Sequence, residues 1–234
     1  MKRIQGQHSR KLLCRLLAFL LFVLFIPASA HAVNNGPAYS QDQLWSMIAE
    51  GNVVLLLRHG LAPGNVDPLD FDLNRCEKQR NMNDEGRHSI RLLGEEFRKN
   101  GIQHLKILTS QWCRARETAL LLGLGPIEEW PVLNNSITTP DLAVSESVRV
   151  IDYVKALPEK FPTILLSTHK DNIVSYINHG ASSGQIFVAR RPTKEDAQFL
   201  EYLGKIGPFY GDLTPRRGGG ESSVPDLGPP TLTK

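Results

Sequence analysis

One stretch of the sequence decides the fold: Val53-Val54-Leu55-Leu56-Leu57, followed directly by Arg58-His59-Gly60. A continuous apolar run of this length, bounded by turn signals, is typical of a strand buried on both faces, as in a parallel sheet. The run ends abruptly in a cation and an imidazole. The pattern therefore predicts a central strand that delivers polar side chains at its carboxyl end.

Similar apolar runs and helical spacings alternate along the rest of the chain. Ser40 with Gln43 forms a capping-box signature, and Ile90, Leu93 and Phe97 follow the spacing of one helix face. Strands are predicted at residues 53–57, 105–109, 130–133, 163–166 and 185–189, and helices at about 40–51, 90–101, 112–122, 150–157 and 171–178. This alternation predicts an α/β fold, a three-layer α/β/α sandwich with a mostly parallel central sheet.

Composition shifts divide the 234 residues into three parts. Residues 1–32 combine a basic start, an apolar run at 16–26 and a small-residue end, which is typical of a secretory signal peptide. Cleavage is expected after Ala32, or alternatively after Ala30, and an uncleaved anchor is the competing interpretation. Residues 33–207 form the predicted domain. Residues 208–234 are rich in Pro, Gly and Ser and predict a flexible tail.

The net charge of +3 depends on the leader. Residues 1–32 contain five cations and no acid, and without them 22 Lys and Arg stand against 24 Asp and Glu, a net charge of −2. The remainder therefore gives no reason to expect nucleic-acid binding. The apolar run is short for a membrane span, so we expect no stable span after cleavage and an exported, periplasmic or secreted protein. Only Cys76 and Cys113 remain then, and a disulfide and two free thiols are both open.

Polar side chains follow three of the predicted strands. In open α/β sheets, ligands bind outside the carboxyl ends of the strands. Arg58 and His59 follow the first strand, Arg114 and Arg116 the second, and His169 the third. Guanidinium groups match phosphate oxygens, and a neutral imidazole can act as a covalent nucleophile. A bound phosphate explains this set together, although each residue alone could be a surface or structural group.

Three motifs resemble those of the histidine phosphatase superfamily, also called phosphoglycerate mutase-like. They are Leu57-Arg58-His59-Gly60, the segment from Thr109-Ser110-Gln111-Trp112-Cys113-Arg114 to Ala119, and Ser167-Thr168-His169-Lys170-Asp171-Asn172-Ile173. The resemblance covers residues 52–189. Further segments, among them Ala62-Pro63-Gly64, Gln79-Arg80-Asn81 and Ser110-Gln111-Trp112-Cys113, look like an exported bacterial branch of that superfamily.

The resemblance implies a mechanism and a set of site residues. His59 would attack phosphorus and become a phosphohistidine, while Arg58, Arg114 and His169 hold the phosphoryl oxygens, without a metal or another cofactor. Arg80, Arg116 and Asn172 are second-rank candidates for contact with phosphate or substrate. A bridge between Cys76 and Cys113 would tie the long loop at 61–83 to the active-site helix.

One part of the family pattern is missing. Relatives supply a carboxylic acid that protonates the leaving oxygen, but residues 133–136 of this chain read Leu-Asn-Asn-Ser. Asp67 is the first candidate for this proton donor and Asp141 the second, and either could instead be a turn or cap residue. The third motif also departs from the family, with Ser167-Thr168 where glycine is common.

Other chemistries fit the sequence less well. Neither cysteine is followed six positions later by the arginine that a cysteine phosphatase needs, and no Gly-x-Ser-x-Gly elbow is present. Zinc binding by His59 and His169 lacks supporting spacing. We expect an exported phosphomonoesterase acting on a small-molecule or envelope phosphate ester. A catalytically silent phosphoanion-binding or sensor domain and a phosphotransferase or mutase are the alternatives, and the substrate and oligomeric state stay open.

Overall fold

The apolar run at residues 53–57 lies in the middle of a six-stranded sheet. The computed structural model of the protein describes residues 39–136 and 140–210, except for the side chains of residues 140–143. The strands are β1 Val54–Arg58, β2 Lys106–Thr109, β3 Ile127–Glu129, β4 Ile164–Thr168, β5 Ile186–Arg190 and β6 Glu201–Ile206. Their order is β3-β2-β4-β1-β5-β6. Residues 1–38, which include the predicted signal peptide, and residues 211–234 of the tail predicted at 208–234 lie outside the described residues.

The sheet is mostly parallel, as predicted. Strands β1, β4, β2 and β3 run in one direction, whereas β5 is antiparallel to β1 and β6 is antiparallel to β5. In the register between β1 and β4, Arg58 lies opposite Thr168. The residues that follow these two strands, His59 and His169, are therefore placed side by side at the same edge of the sheet.

Helices cover both faces of the sheet. They are α1 Gln41–Glu50, α2 Asp84–Lys99, α3 Cys113–Leu122, α4 Pro140–Ala156 and α5 Lys170–Ile177. Leu55 and Leu57 of β1 belong to one apolar cluster with residues of α1, α2 and α3. Val54 and Leu56 point to the other face and pack with residues of α4 and α5. This alternation, with period two, confirms the three-layer α/β/α sandwich.

Local signals explain where the helices begin and end. Ser40 and Gln43 form the predicted capping box of α1. Asn83 caps α2 through a bond from the Gly86 amide to its side chain. Gly123 ends α3 in the left-handed conformation, with φ 63°, which glycine adopts without steric cost.

Two predictions at the ends of the sheet were wrong. Residues 130–133 do not form a strand: Pro131–Leu133 is a 3₁₀ turn, and the strand lies just before it. Pro131 has no N–H to give to a sheet, which favours the turn. The strand at β5 is not the last, because β6 follows it. In β6, Glu201–Ile206, apolar and polar residues do not alternate regularly. This strand lies at the edge of the sheet, and the sequence pattern did not predict it.

Among residues 39–136 and 140–210, no helix has both the length and the apolar character that a membrane crossing requires.

Candidate active site

The carboxyl edge of the parallel strands brings the two predicted histidines together. The ring centroids of His59 and His169 lie 5.4 Å apart, and both side chains are buried. His59 follows β1, and its amide donates to the carbonyl of Thr168 at the end of β4. The neighbouring positions of β1 and β4 in the sheet therefore determine the distance between the rings.

The hydrogen bonds of His59 determine which of its nitrogens is free to react. Nδ1 lies 2.8 Å from the carbonyl oxygen of Gly60, and since a carbonyl only accepts, Nδ1 must carry the hydrogen. Nε2 then keeps its lone pair. Burial, followed by the positive charge of Arg114, holds the pKa of His59 well below its usual value. His59 is consequently neutral and oriented, as a nucleophile must be.

Gly60 is required by the crowding behind His59. Its amide donates to the hydroxyl of Thr118 at 2.9 Å. A Cβ at this position would lie 2.5 Å from the sulfur of Met82 and 2.9 Å from Ile90. A larger residue would push the loop away from α2 and α3 and displace His59, which explains the glycine after the histidine.

Arg114 is fully buried beside the histidines, in the first turn of α3. Its Nη1 donates a hydrogen bond of 2.9 Å to a carboxylate oxygen of Asp67. Its guanidinium carbon lies 4.4 Å from the ring centroid of Trp112. Burial lowers the pKa of Arg114 to about 10, although the Asp67 carboxylate opposes this effect. The group is therefore still a cation at neutral pH, and its own Nε and Nη2 have no acceptor among the described residues.

Two more arginines complete the cationic side of the site. Arg58 donates to the carbonyl of Ala181 at 2.7 Å, and Arg80 donates to the carbonyl of Ala62. The Nε atoms of both are buried without an acceptor in the described part of the chain. Burial, and then the charge of Arg80, lowers the pKa of Arg58. Buried N–H groups that lack a protein acceptor indicate a place for an external one.

The long loop at 61–83 is tied to α3 in two ways. A disulfide joins Cys76 to Cys113, the first residue of α3. The side chain of Gln79 accepts from the amide of Cys113 at 3.0 Å and donates to the carbonyls of Asp72 and Leu73. The loop that carries Asp67 and Arg80 is thereby held against the helix that carries Arg114.

The proton-donor candidates differ in what the structure shows. The carboxylate of Asp67 accepts from Arg114 and from the backbone amide of Arg80, both at 2.9 Å. This places Asp67 beside the cationic site, where it holds Arg114. Asp141 lies in the first turn of α4, and its side chain is outside the described residues.

Two second-rank candidates are engaged in the scaffold. Arg116 forms a buried ion pair with Glu129 of β3, with N and O 2.8 Å apart. Asn172 donates to the carbonyls of Leu133 and Asn134 and accepts from the amide of Ser136. These bonds fix α5 against the segment that follows β3.

Three polar residues that support the site were not among the predicted site residues: Ser110 and Asn134 beside His169, and Gln79 between the long loop and α3. Ser110 Oγ lies 2.9 Å from Nε2 of His169 and 3.1 Å from the side-chain oxygen of Asn134. The position of Ser110 directly after β2 was the available signal, since the other strand ends carry the candidate residues. Asn134 could not be recognised, because its contact to Ser110 spans 24 residues.

A second concave region lies away from these residues. A cavity of about 500 Å³ opens between α4, α5 and residues 197–199. It contains none of the buried arginines or histidines. In the described part of the chain, no three His, Cys, Asp or Glu side chains are grouped so that they could hold a metal ion.

Fold and site together define a class: α/β proteins in which two neutral histidines and buried arginines meet at the carboxyl edge of a mostly parallel sheet. Within that class, residues 54–136 match the family model described as Histidine phosphatase superfamily (branch 1). The match begins at β1 and ends after Pro131–Leu133, so it includes His59 and Arg114 and stops before His169. It supports the resemblance to that superfamily over this part of the chain.

The chain is also similar to solved structures. The protein histidine phosphatase SixA, complexed with tungstate, is 15% identical at a TM-score of 0.46, covering 67% of this chain and 97% of its own. A mycobacterial glucosyl-3-phosphoglycerate phosphatase is 15% identical at a TM-score of 0.46, covering 68% of this chain and 100% of its own. No protein of curated function matches the chain.

Proposed function

We propose that this protein is a phosphatase that hydrolyses phosphomonoesters through a covalent phosphohistidine on His59. One observation carries the proposal: Nε of Arg58, Nε of Arg80 and both Nε and Nη2 of Arg114 are buried without an acceptor among the described residues. The positive charges of these three arginines act on His59, a neutral histidine whose Nδ1 is already bonded. A phosphoryl group offers the oxygens that these donors lack and an electrophilic phosphorus for Nε2.

The reaction would proceed in two displacements. The lone pair of His59 Nε2 forms a bond to phosphorus while the bond to the leaving oxygen breaks and its electron pair stays on that oxygen. Water then attacks phosphorus, the P–N bond breaks, and its electron pair returns to Nε2. The fixed positive charges of Arg58 and Arg114 stabilise the phosphoryl oxygens in both transition states, without reorganisation at the moment of reaction.

Asp67 keeps its candidacy as proton donor to the leaving oxygen, because it lies beside Arg114. Its carboxylate is also a hydrogen-bond acceptor for two donors, which suits a role in orienting Arg114. An Asp67→Asn variant distinguishes these roles. Loss of a proton donor would reduce turnover most for esters with poor leaving groups, whereas loss of orientation would reduce turnover equally for all esters.

We further infer that the protein is exported, as an exported bacterial branch of the superfamily would be. The signal-like residues 1–32 and the disulfide between Cys76 and Cys113 support this proposal, because such bonds persist in oxidising compartments. The substrate class is then a small-molecule or envelope phosphate ester that is accessible in the periplasm or outside the cell.

The test compares the purified wild type with His59→Ala after expression of the full chain. Phosphate release from p-nitrophenyl phosphate is measured from pH 4 to 8, with a chelator and without added metal. We expect chelator-resistant activity that His59→Ala abolishes, and a control variant, His104→Ala at an exposed position, retains it. A folded wild type that binds vanadate but releases no phosphate from any ester would instead be a binding or sensor domain.

A second measurement separates hydrolysis from transfer. When an alcohol acceptor is added, a phosphatase still yields free phosphate as its main product, whereas a phosphotransferase or mutase yields a phosphorylated acceptor. Incorporation of phosphorus-32 into wild type but not into His59→Ala, by an acid-labile bond, is the expected signature of the intermediate.

A further inference from the structure

Ser110 links His169 to the segment that follows β3. Its Oγ lies 2.9 Å from Nε2 of His169 and 3.1 Å from Oδ1 of Asn134, and it accepts from the amide of Trp112. A serine hydroxyl has a single hydrogen to donate. Its direction therefore decides which ring nitrogen of His169 carries a hydrogen.

The amide of Asn134 has only one orientation that satisfies its contacts. Oδ1 lies 2.9 Å from the backbone N–H of Gln111, which can only donate, and Nδ2 lies 3.0 Å from the side-chain oxygen of Gln111. Oδ1 is thus an acceptor, and the Ser110 hydroxyl must donate to it, because otherwise two oxygen lone pairs would face each other at 3.1 Å.

With its hydrogen directed at Asn134, Ser110 can only accept from His169. Nε2 of His169 therefore carries the hydrogen. In the neutral ring, Nδ1 then has a bare lone pair, and Nδ1 is buried without a partner among the described residues. His59 has the opposite arrangement, with its hydrogen on Nδ1. The two neighbouring histidines are consequently opposite tautomers.

The charged groups around His169 are almost all cations. Its pKa is held well below the usual value by burial first, then by Arg114, His59, Arg80 and Arg58. Asp67 is bonded to Arg114, and the charge of Asp171, on α5, raises the pKa of Arg58. Protonation of Nδ1 thus becomes favourable only when an anion enters the site.

We propose that Asn134 and Ser110 are positioning residues that hold His169 in the Nε2–H tautomer, so that the site binds a phosphoryl group together with one proton, shared with Nδ1. This inference rests on the proposed function for the identity of the anion. A phosphoryl oxygen cannot approach a bare nitrogen lone pair closely unless a proton lies between them. A monoanion brings that proton, and a dianion takes it from solvent.

The proton has a consequence for the chemistry. When the bond from phosphorus to the leaving oxygen breaks, the new alkoxide needs one proton, and the proton held between Nδ1 and the phosphoryl oxygen is available within the site. His169 returns to its neutral tautomer after the transfer. Residues 133–136 of this chain contain no carboxylic acid, and this proton is a source for the leaving oxygen besides the candidate Asp67.

Nitrogen-15 NMR of the histidine-labelled protein tests the tautomer directly, with His169→Asn used to assign the signals. In phosphate-free buffer at pH 8, we expect wild-type His169 to carry its hydrogen on Nε2 and His59 to carry it on Nδ1. Saturating inorganic phosphate should protonate Nδ1 of His169 as well. A hydrogen on Nδ1 in the phosphate-free protein would overturn the inference.

Variants test the positioning roles. Ser110→Ala and Asn134→Ala should free the ring, move hydrogen to Nδ1 and let the neutral N–H bind the dianion. Asn134→Asp keeps the acceptor for Ser110 and should keep the tautomer. Ser167→Ala serves as the control. It also removes a buried serine hydroxyl, but this hydroxyl donates to the carbonyl of Ala115 and does not contact a histidine. If His169 keeps its hydrogen on Nε2 in both alanine variants, Ser110 and Asn134 do not hold its tautomer and the inference is refuted.

The pH dependence of phosphate binding gives a second readout. Uptake of one proton makes the association constant of wild type fall by about tenfold per pH unit from pH 7.5 to 9, where phosphate is mostly a dianion. Ser110→Ala should flatten this dependence. These measurements need no turnover, so an inactive protein with the expected tautomer would refute the proposed function alone, and an active one with the other tautomer would refute this inference alone.

Discussion

At the scale of single residues, the site is a set of buried groups whose protonation and orientation are set by their neighbours. Arg114 shows this most clearly, because it is fully buried and binds Asp67 with one nitrogen while Nε and Nη2 remain without an acceptor in the described residues. The planar guanidinium of arginine can bind Asp67 and a phosphoryl group at the same time with different N–H groups, whereas the ammonium of a lysine acts as a point charge.

Arg114→Lys should therefore reduce kcat/KM by about 10² to 10³ even though the charge is kept, because the fork that holds two phosphoryl oxygens is lost. Steady-state kinetics with p-nitrophenyl phosphate measure the loss. Arg149→Lys, at an exposed position, is the matched control and should be neutral. Equal activity of Arg114→Lys and wild type would show that Arg114 serves only as a charge.

The buried neutral histidines should make stability depend on pH. Their folded pKa lies well below the unfolded value of about 6.5, so below that pH the unfolded chain binds protons that the folded chain does not. The free energy of unfolding should then fall as pH decreases, by about 1.4 kcal/mol per pH unit for each histidine.

Urea unfolding between pH 7 and 5, in phosphate-free buffer, measures this slope. The double variant His59→Asn, His169→Asn should have a slope shallower by about twice that amount. Identical slopes in the wild type and the double variant would mean that the rings protonate in the folded state.

At the scale of elements, close contact between α2 and the loop after β1 places His59. A Cβ at Gly86 would lie 2.3 Å from the carbonyl oxygen of Leu61, and the amide of Asn83 donates to that same oxygen. Glycine at this point lets the helix approach the backbone just beyond Gly60.

Gly86→Ala should destabilise the fold by about 1 to 3 kcal/mol and reduce kcat, because α2 or the 60–61 backbone must move. Gly180→Ala, where an added Cβ meets nothing within 4 Å, is the control. Thermal unfolding and kinetics on both variants check the prediction. Full stability with full activity in Gly86→Ala would mean that the loop can shift without displacing His59.

At the scale of the whole molecule, the disulfide and Gln79 join the long loop to α3, so that Asp67, Arg80 and Arg114 belong to one rigid part of the site. The bridge spans 37 positions of sequence. Closing a loop of this size removes conformational entropy from the unfolded chain, equivalent to about 4 kcal/mol in the chain-entropy model.

The double variant Cys76→Ser, Cys113→Ser should lose about that much stability in urea unfolding. It should also bind vanadate more weakly, since Arg80 and Asp67 are then held less firmly. Wild type treated with a reductant should behave in the same way. Two free thiols per chain in the untreated wild type would contradict the bridge.

Much of the fold was predictable because local pattern and burial agree in its central elements. The run at residues 53–57 has apolar side chains on both faces. Both faces are buried only if helices cover the strand on both sides. The sheet edges were harder. The burial of side chains along β6 follows no regular alternation. Pro131 favours a 3₁₀ turn where a strand was expected. Elements at the sheet edges depend on contacts between residues that are distant in sequence, and the spacing of apolar residues along the chain does not reveal such contacts.

The sequence by itself determined the layered α/β architecture and the positions of His59, Arg114 and His169 after strands, because the alternation of elements along the chain and the residue types are local properties. Only the tertiary structure decided what these side chains do to one another. The register of β1 and β4 sets the distance between the two rings, and the contact of Ser110 with Asn134 selects the tautomer of His169. Hydrogen-bond direction and burial arise between residues far apart in the chain, so the folded chain alone specifies them.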